Sequence, residues 1–584
     1  MSADHGQDAG GVELRWPGKY VDGQRAPLVD HGVELVERER LGDADQQQIP
    51  PNQLIRADNL LALEALVRAR PGSVDLVYID PPFATGNRFA LLRRVGDKRE
   101  GSEAELRLPA FDDAWDGGLA GFLRMLDPRL RLIHQLLAPT GSLYVHVDPT
   151  VGHAVKLVLD EVFGPGCFQR EIVWRIGWVS GFKTRARNWI RNHDLIFFYT
   201  KDPQRFTFNK SWVPHPKGYE RREGRAAKAP GVAMEDVWNA GQSELELSGR
   251  ASLDSIQIKS FSREKTGWAT QKNESLLRRI IAASSAPGDV VADLFAGSGT
   301  TAVVANELGR AFVVCDHADA AVQIARNRLV EAGAAFELLE ADGRERELKL
   351  AAIASEHGEP ALEVLRRWML AQLGAEQGAG SGPLAGRRGD VGLALGMPGQ
   401  PVTRATIEAS LDAARGQKLR AVELLAFDWA DEDGAQLEPA APGDGPELIP
   451  IQVGRGLFEP SVRETAWIDG GVAAWERPEL ILEVDELDGD RLRVELVDLR
   501  LRAPERLPEA LRGRGFMERL LGWSVADAAT PTRPCFVSAG VGARAGAREG
   551  LSLVAELPRC AALVVAWEDV LGHRHARRVE LDAG

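Results

Sequence analysis

Between residues 54 and about 329, short apolar runs alternate with stretches in which apolar side chains recur every three or four positions. The runs QLIRAD (53–58), DLVYID (75–80), GSLYVHVD (141–148), DVVADLF (289–295) and AFVVCD (311–316) each end near an acidic residue or a glycine turn. The intervening NLLALEALVRA (59–69), FLRMLDPRLRLIHQLL (122–137) and AVKLVLDEVF (154–163) carry one apolar face each. Strands closing on special residues, separated by amphipathic helices, predict a wound α/β sheet with its helices packed over it.

The flanking segments read differently. Residues 1–50, rich in Gly, Asp, Gln and Pro, predict a leader with at most a short strand or two and no chemistry. Residues 51–164 and 276–335 form the two halves of the α/β core. Between them, residues 165–275 break the rhythm and are expected to form a β-hairpin and a target-recognition insertion: EIVWRI (171–176) and DLIFFYT (194–200) are strand-like, and irregular stretches follow. Beyond the core, residues 336–373 predict a helical extension. Residues 374–416 open on GAEQGAGSGPLAGRRGD and predict a flexible linker. From 417 to 584, runs such as AVELLAFDW, RLRVELVDLRL and ALVVAW predict a separate β-rich domain. At about 100–200 residues per domain, 584 residues accommodate three or four domains.

Charge sharpens this division. With 71 basic and 85 acidic residues the chain carries −14, which argues against a general polyanion binder. Residues 165–230 nevertheless hold 14 Lys or Arg against 5 Asp or Glu, together with 12 aromatic residues that include Trp174, Trp178, Trp189 and Trp212. Basic groups attract phosphates and interleaved aromatics stack on bases. This segment is therefore a candidate nucleic-acid surface, with Arg175, Lys183, Arg185, Arg187 and Arg191 as candidate contacts. An aromatic core with a charged rim has the same composition. Residues 401–584, with 22 basic and 32 acidic side chains, are expected to face protein rather than DNA. Cys167, Cys315, Cys535 and Cys560 form no CxxC pair and give no basis for a disulfide scaffold or a structural zinc site. The opening MSADHGQDAGG has no apolar targeting stretch, and no run approaches the roughly 18 apolar residues of a membrane span. A soluble, cytoplasmic protein is expected.

Two constellations carry chemistry. In DLFAGSGTT, Asp293 to Thr301, Gly297 and Gly299 allow a sharp turn and close ligand approach ahead of a helix N-terminus. The next strand ends in Asp316, 19 residues after Gly297, near the spacing at which nucleotide-binding sheets present a carboxylate to a ribose. The full G-x-G-x-x-G is absent, so a nicotinamide enzyme is imperfectly matched. In DLVYIDPPFATG, Asp80, Pro81, Pro82 and Phe83 follow an apolar strand, and the prolines stop the ladder and stiffen the loop. One carboxylate, proline carbonyls and an aromatic face suit a planar ring bearing an exocyclic amino group. The blander reading is a proline turn with an N-capping Asp and a core Phe. His146, Asp148 and His153 are read as strand-end and helix-start residues rather than metal ligands, and Cys315 as core. No G-x-x-x-x-G-K-[ST] occurs, so no helicase or nuclease motor is encoded.

DPPF together with FAGSGTT resembles the S-adenosylmethionine-dependent amino-methyltransferases that modify adenine N6 in DNA. The order, base motif first and cofactor motif after the recognition segment, resembles their permuted β class, and within it the modification subunits of type III restriction systems. Further agreement lies in ADNLLAL (57–63), HDLIFFYTK (193–201) and KTGWATQKNESLLRRII (265–281). The resemblance implies a Rossmann-like core with a mixed, mostly parallel sheet, an inserted target-recognition region and a C-terminal β-rich domain. It implies that Asp80, Pro81, Pro82 and Phe83 are catalytic. It places Asp58, Asn59, Thr270, Gln271, Lys272, Asp293, Phe295, Ala296, Gly297, Ser298, Gly299, Thr300 and Asp316 around S-adenosylmethionine, with no metal. Three departures stand out: Phe83 where tyrosine is usual, Asn273 where proline commonly follows Gln-Lys, and His317 after Asp316. Site-specific N6 methylation of double-stranded DNA is the implied activity. Cytosine N4 methylation, or DNA recognition on behalf of a partner nuclease or helicase, is the alternative, with RNA or protein amino-methylation behind both. A restriction or helicase–nuclease partner and a homodimer are both compatible with the resemblance, and no membrane is implied.

Overall fold

A computed structural model describes residues 12–41, 50–84, 86, 88–95, 104–115, 117–175, 187–214, 231–238, 264–377, 382–427, 429 and 445–454, and after these the strands 474–476, 479–487, 491–500, 520–527, 535–538, 554–558, 562–569 and 574–580. Ten strands build the main sheet: β1 (Leu35–Leu41), β2 (Gln53–Arg56), β3 (Val74–Ile79), β4 (Leu137–Val147), β5 (Phe168–Arg175), β6 (His193–Thr200), β7 (Val237–Trp238), β8 (Val290–Asp293), β9 (Ala311–Asp316) and β10 (Phe336–Ala341). Their spatial order is β7-β5-β6-β4-β3-β8-β9-β2-β10-β1. The six strands from β4 to β10 in that order run parallel, whereas β6 is antiparallel to β4 and β5 to β6.

The sequence of β3, VDLVYI, shows why the sheet is covered on both faces. Alternate residues of a strand point to opposite sides. Val77 and Ile79 pack with Leu63 of α1 (Asn59–Ala69), Phe122 and Leu126 of α2 (Leu119–Leu136) and Val155 of α3 (Pro149–Phe163). Leu76 and Tyr78 pack with Leu276 and Ile280 of α4 (Glu274–Ser284), Val304 of α5 (Thr300–Glu307) and Leu329 of α6 (Asp319–Glu331). From β3 the chain winds toward β4, and from β8 it winds the other way toward β9. The β3–β8 seam is therefore the place where the winding reverses, and in open α/β sheets the crevice beyond the strand ends at such a seam receives ligands.

Several expectations are corrected. The leader carries β1, seven residues paired antiparallel to β10, and Glu39 of β1 is held by both nitrogens of the buried Arg326 fork at 2.8 and 3.0 Å. The pattern LVERERL hides this strand because an edge position leaves much of it exposed. In 165–275 the two expected strands do pair antiparallel, as β5 and β6, but they and β7 belong to the main sheet rather than standing apart from it, and the region 336–373 begins with β10 before turning helical. An antiparallel ribbon, Arg88–Val95 with Ala104–Asp112, follows the DPPF loop where no element was expected.

The stretch 374–416 is not a plain linker. It holds strands Glu376–Gln377, Gly386–Arg388 and Val391–Gly396 and a helix, Arg404–Gly416, whose start is fixed by a Thr403–Thr406 capping box. Glycine-rich composition masked the short apolar run VGLALG, whose Leu393 is fully buried. Helices Gly343–His357, through Ile353, and Ala361–Gln372, through Leu365 and Met369, pack on the six-stranded sheet that these strands form with Ala421–Ala426, Glu447–Val453 and Ala474–Glu476. Two antiparallel sheets follow between 479 and 580, and with Ala421–Ala426, Glu447–Val453 and Ala474–Glu476 the described part of 417–584 is mostly strand, as expected. Among the described residues, no helix is long and apolar enough to cross a membrane.

Candidate active site

Asp80 stands directly after β3, at the carboxyl end of the seam strand. Its side chain is only 15% exposed. Oδ2 receives the Lys272 ammonium, while Oδ1 is buried and has no hydrogen-bond partner among the described residues. A buried acceptor left unpaired costs roughly 1–3 kcal/mol, so it marks a place where a donor is expected to arrive. Pro81 is buried, Pro82 and Phe83 are half-buried, and the Phe83 ring lies 6.1 Å from the His146 ring and 5.6 Å from the Lys272 ammonium. The loop leaves Phe83 through Ala84, a non-glycine residue at φ +57°, whose N–H donates to Asp113 Oδ1 at 2.7 Å.

Across the seam, Asp293 ends β8 beneath the glycine loop. The Thr301 hydroxyl donates to its Oδ2 at 2.5 Å and the Phe295 N–H to its Oδ1 at 3.0 Å. Burial pushes this carboxyl up to about 7, and the nearby Asp80 and Asp316 charges add to the rise against those two hydrogen bonds. Asp316, at the end of β9, accepts the Gly297 N–H at 2.8 Å and the Ala318 N–H at 3.0 Å. Gly297 sits at φ +49° with Trp268 against it: a Cβ there comes within 2.8 Å of the indole nitrogen. Gly299, at φ +74°, packs on α6, where a Cβ comes within 2.6 Å of the Ala325 methyl. The two glycines thus serve close packing as well as ligand approach. Ala296 and Ser298 are buried in this loop and Phe295 lies half-buried against the core.

Other expected cofactor residues surround the loop without all pointing at it. Asn59 donates to the Leu294 carbonyl at 2.7 Å, tying α1 to the end of β8, and Asp58 caps α1 by accepting the Leu60 N–H at 2.7 Å. Arg129 reaches both Asp58 and Asn59 from α2. Gln271 knits its own loop: its Oε1 accepts from the Thr266 N–H and hydroxyl at 2.9 and 2.8 Å, and its Nε2 donates to the Glu264 carbonyl at 2.6 Å. Thr270 is exposed with φ +61°, and Thr300 donates to the Lys272 carbonyl at 3.2 Å.

Behind Phe83, His146, Asp148 and Arg191 join Tyr78 and Asp194, which the sequence did not single out, in one polar chain. Tyr78 and His146 Nδ1 are 2.8 Å apart, His146 Nε2 is 3.4 Å from Asp194, and Arg191 bonds to Asp194 and, at 2.6 Å, to Asp148. Burial tends to raise Asp194, but His146, Lys272 and Arg191 hold it down at about 2. Both His146 nitrogens are therefore engaged by protein partners. Among the described residues, no group of three or more His, Cys, Asp or Glu side chains is disposed to hold a metal. Of the basic residues expected on DNA, Arg175 and Arg187 are exposed, Arg191 is tied to two carboxylates, and Lys183 and Arg185 lie outside the described residues.

Residues 74–327 match the family described as DNA methylase. Among curated relatives, the type II methyltransferase M.EcaI of Enterobacter cloacae is 26% identical over 52% of this chain and 75% of its own length. The DNA adenine methyltransferase YhdJ of Escherichia coli K12 is 27% identical over 43% of this chain and 74% of its own. The Mod subunit of the Escherichia coli type III restriction-modification enzyme EcoP15I is 25% identical over 33% and 30% respectively. The matched span runs from β3 through most of α6 and contains both the DPPF loop and the glycine loop on opposite sides of the seam. Over residues 74–327 this chain is thus similar to DNA methylases, and the similarity spans the seam that carries both loops.

Proposed function

We propose that the chain transfers a methyl group from S-adenosylmethionine to adenine N6 in double-stranded DNA. The observation that carries this reading is the pairing, across one seam, of an unpartnered buried carboxylate oxygen on Asp80 with a glycine loop closed by Asp316. The Gly297–Thr301 turn, the Asp316 carboxylate and Asn59 fit the cofactor: the turn ends at a helix N-terminus, and each Asp316 oxygen keeps a lone pair beyond its one N–H partner. When bound there, S-adenosylmethionine supplies an already activated methyl group on a sulfonium.

The protein's part is then positioning and charge placement. Asp80 Oδ1 accepts one hydrogen of the exocyclic amine and the Pro81 carbonyl the other, which aims the nitrogen lone pair away from the loop. Positive charge that develops on N6 is stabilised by the Asp80 carboxylate. The amine sheds one proton after transfer, and Asp80 lies next to it as first acceptor. Phe83 offers the face on which a base stacks once it has left the helix, offsetting an unstacking cost of a few kcal/mol. The acidic residue at position 80 favours adenine over cytosine, because the cytosine N4 relatives usually place serine there.

As partners we propose duplex DNA, engaged in part through Arg175 and Arg187, and a restriction or helicase–nuclease subunit or a second copy of the chain engaged through residues beyond the core. Base-resolved methylation mapping of DNA from a methylation-deficient host tests the central claim. N6-methyladenine in one recurring sequence, lost in Asp80→Ala, is the expected result. Methylated cytosine, or no methylated base from a folded protein that binds S-adenosylmethionine, overturns it.

A further inference from the structure

Lys272 falls in the segment that resemblance assigns to the cofactor, yet its side chain goes elsewhere. Its ammonium, only 11% exposed, crosses to Asp80 Oδ2, 192 residues away in sequence, with the Thr270 carbonyl at 3.3 Å and the Phe83 ring 5.6 Å away. We propose that Lys272 is a positioning residue for methyl transfer: it fixes the Asp80 carboxylate by one oxygen so that the other faces the target amine. This inference rests on the adenine-methyltransferase reading above.

Three observations support it. The carboxylate is divided, with Oδ2 engaged and Oδ1 buried and unpartnered, which is the arrangement one N–H of an arriving amine requires. The backbone of Lys272 is clamped: Thr300 donates to its carbonyl at 3.2 Å, Arg328 donates to Thr300 Oγ1 at 3.0 Å, and Arg328 also holds Glu274 at 2.7 Å. Gln271 braces the preceding turn, and Thr270 holds a left-handed φ of +61°, so the loop projects Lys272 in a fixed direction. Finally, Asp80, Asp293 and Asp316 crowd three carboxylates around one seam, and Lys272 supplies the cation that pairs with the first of them. Through Thr300, the first residue of α5, the same lysine connects the loop that holds the cofactor with the carboxylate that holds the base.

The test compares wild type with Lys272→Met and Lys272→Arg in the full chain. S-adenosylmethionine affinity is measured by calorimetry, and base extrusion by fluorescence of a duplex carrying 2-aminopurine at the target position. That probe lacks the 6-amino group and so does not report the Asp80 contact. With a misaimed acceptor, kcat is expected to fall about 100-fold in Lys272→Met, while cofactor affinity and 2-aminopurine fluorescence stay within about two-fold. Lys272→Arg, which retains a cationic donor, recovers at least about ten-fold of the loss. An unchanged kcat in Lys272→Met overturns the proposal, and so does a loss confined to cofactor affinity, which makes Lys272 an ordinary cofactor ligand. Should Lys272→Met not fold, the Lys272→Gln variant, which keeps a donor without the charge, takes its place with the same expected split. If the wild type itself makes no N6-methyladenine, the parent reading fails; if it does and the variants behave like it, only this inference fails.

Discussion

Asp293 is a carboxyl whose titration the fold moves toward neutral pH, and replacing it by asparagine isolates the effect. Its carboxyl is 3% exposed and rises from 3.8 to about 7, chiefly through burial. The folded state therefore binds the proton more tightly than the unfolded chain does, and between these two values folding takes up a proton. Stability contributed by this group is fully present below pH 3.8 and is lost as pH climbs to about 7. At about 1.4 kcal/mol per pH unit, the whole span corresponds to about 4 kcal/mol, of which about 3 kcal/mol falls between pH 5 and pH 8. In Asp293→Asn the acceptor for the Phe295 N–H remains and the titration disappears. Thermal unfolding followed by circular dichroism at several pH values from 5 to 8 measures the difference directly. The wild type is expected to lose on the order of 8 °C relative to the variant as pH rises, taking about 2–4 °C per kcal/mol for a domain near this size. Melting curves of the two proteins that shift in parallel with pH refute the argument, because a constant offset reports only the lost hydrogen bond to Thr301.

Two further substitutions probe the loops. Gly299→Ala meets both an unfavourable φ of +74° and the Ala325 methyl at 2.6 Å, so we expect a loss of about 2–5 kcal/mol in urea unfolding. Gly309→Ala shares the backbone penalty, with φ +71°, but has nothing within 4 Å, and is expected to cost only about 1–2 kcal/mol; equal losses contradict the packing account. Phe83→Ala removes the stacking face and is expected to weaken 2-aminopurine extrusion by about 5- to 150-fold, the equivalent of about 1–3 kcal/mol, without altering cofactor affinity. Unimpaired extrusion in that variant excludes Phe83 as the stacking platform.

The parts of this molecule that a linear reading reaches are those whose cause is local. DLVYID and AFVVCD announce β3 and β9 because buried parallel strands are apolar on both faces, and the Gly297–Gly299 turn is visible because few residues tolerate positive φ. The Asp80–Lys272 pair is not local: it depends on β3 and the loop before α4 meeting at one seam, and neither residue's neighbours signal the other. The same holds for the Tyr78–His146–Asp194 chain, which assembles from three strands of the sheet. Arg191 shows the opposite error. Its place in a basic, aromatic segment suggests a phosphate contact, whereas its charge is spent on Asp148 and Asp194. Composition counts charges but does not say which are already neutralised.

The pairing of β1 with β10 has a bearing on how this sheet avoids unwanted edge-to-edge pairing. Without β1, the backbone of β10 presents a row of unpaired N–H and C=O groups, a template onto which a strand of another molecule can add. The leader supplies its own strand instead, with Arg38, Arg40, Glu37 and Glu39 on it and the Glu39–Arg326 fork pinning it in place. Charged side chains on an edge strand disfavour the addition of a further strand. The segment with so little apolar pattern therefore acts as the guard of one border of the sheet, and the packing of the leader continues upstream of it, where Trp16 and Val33 are buried in the same core.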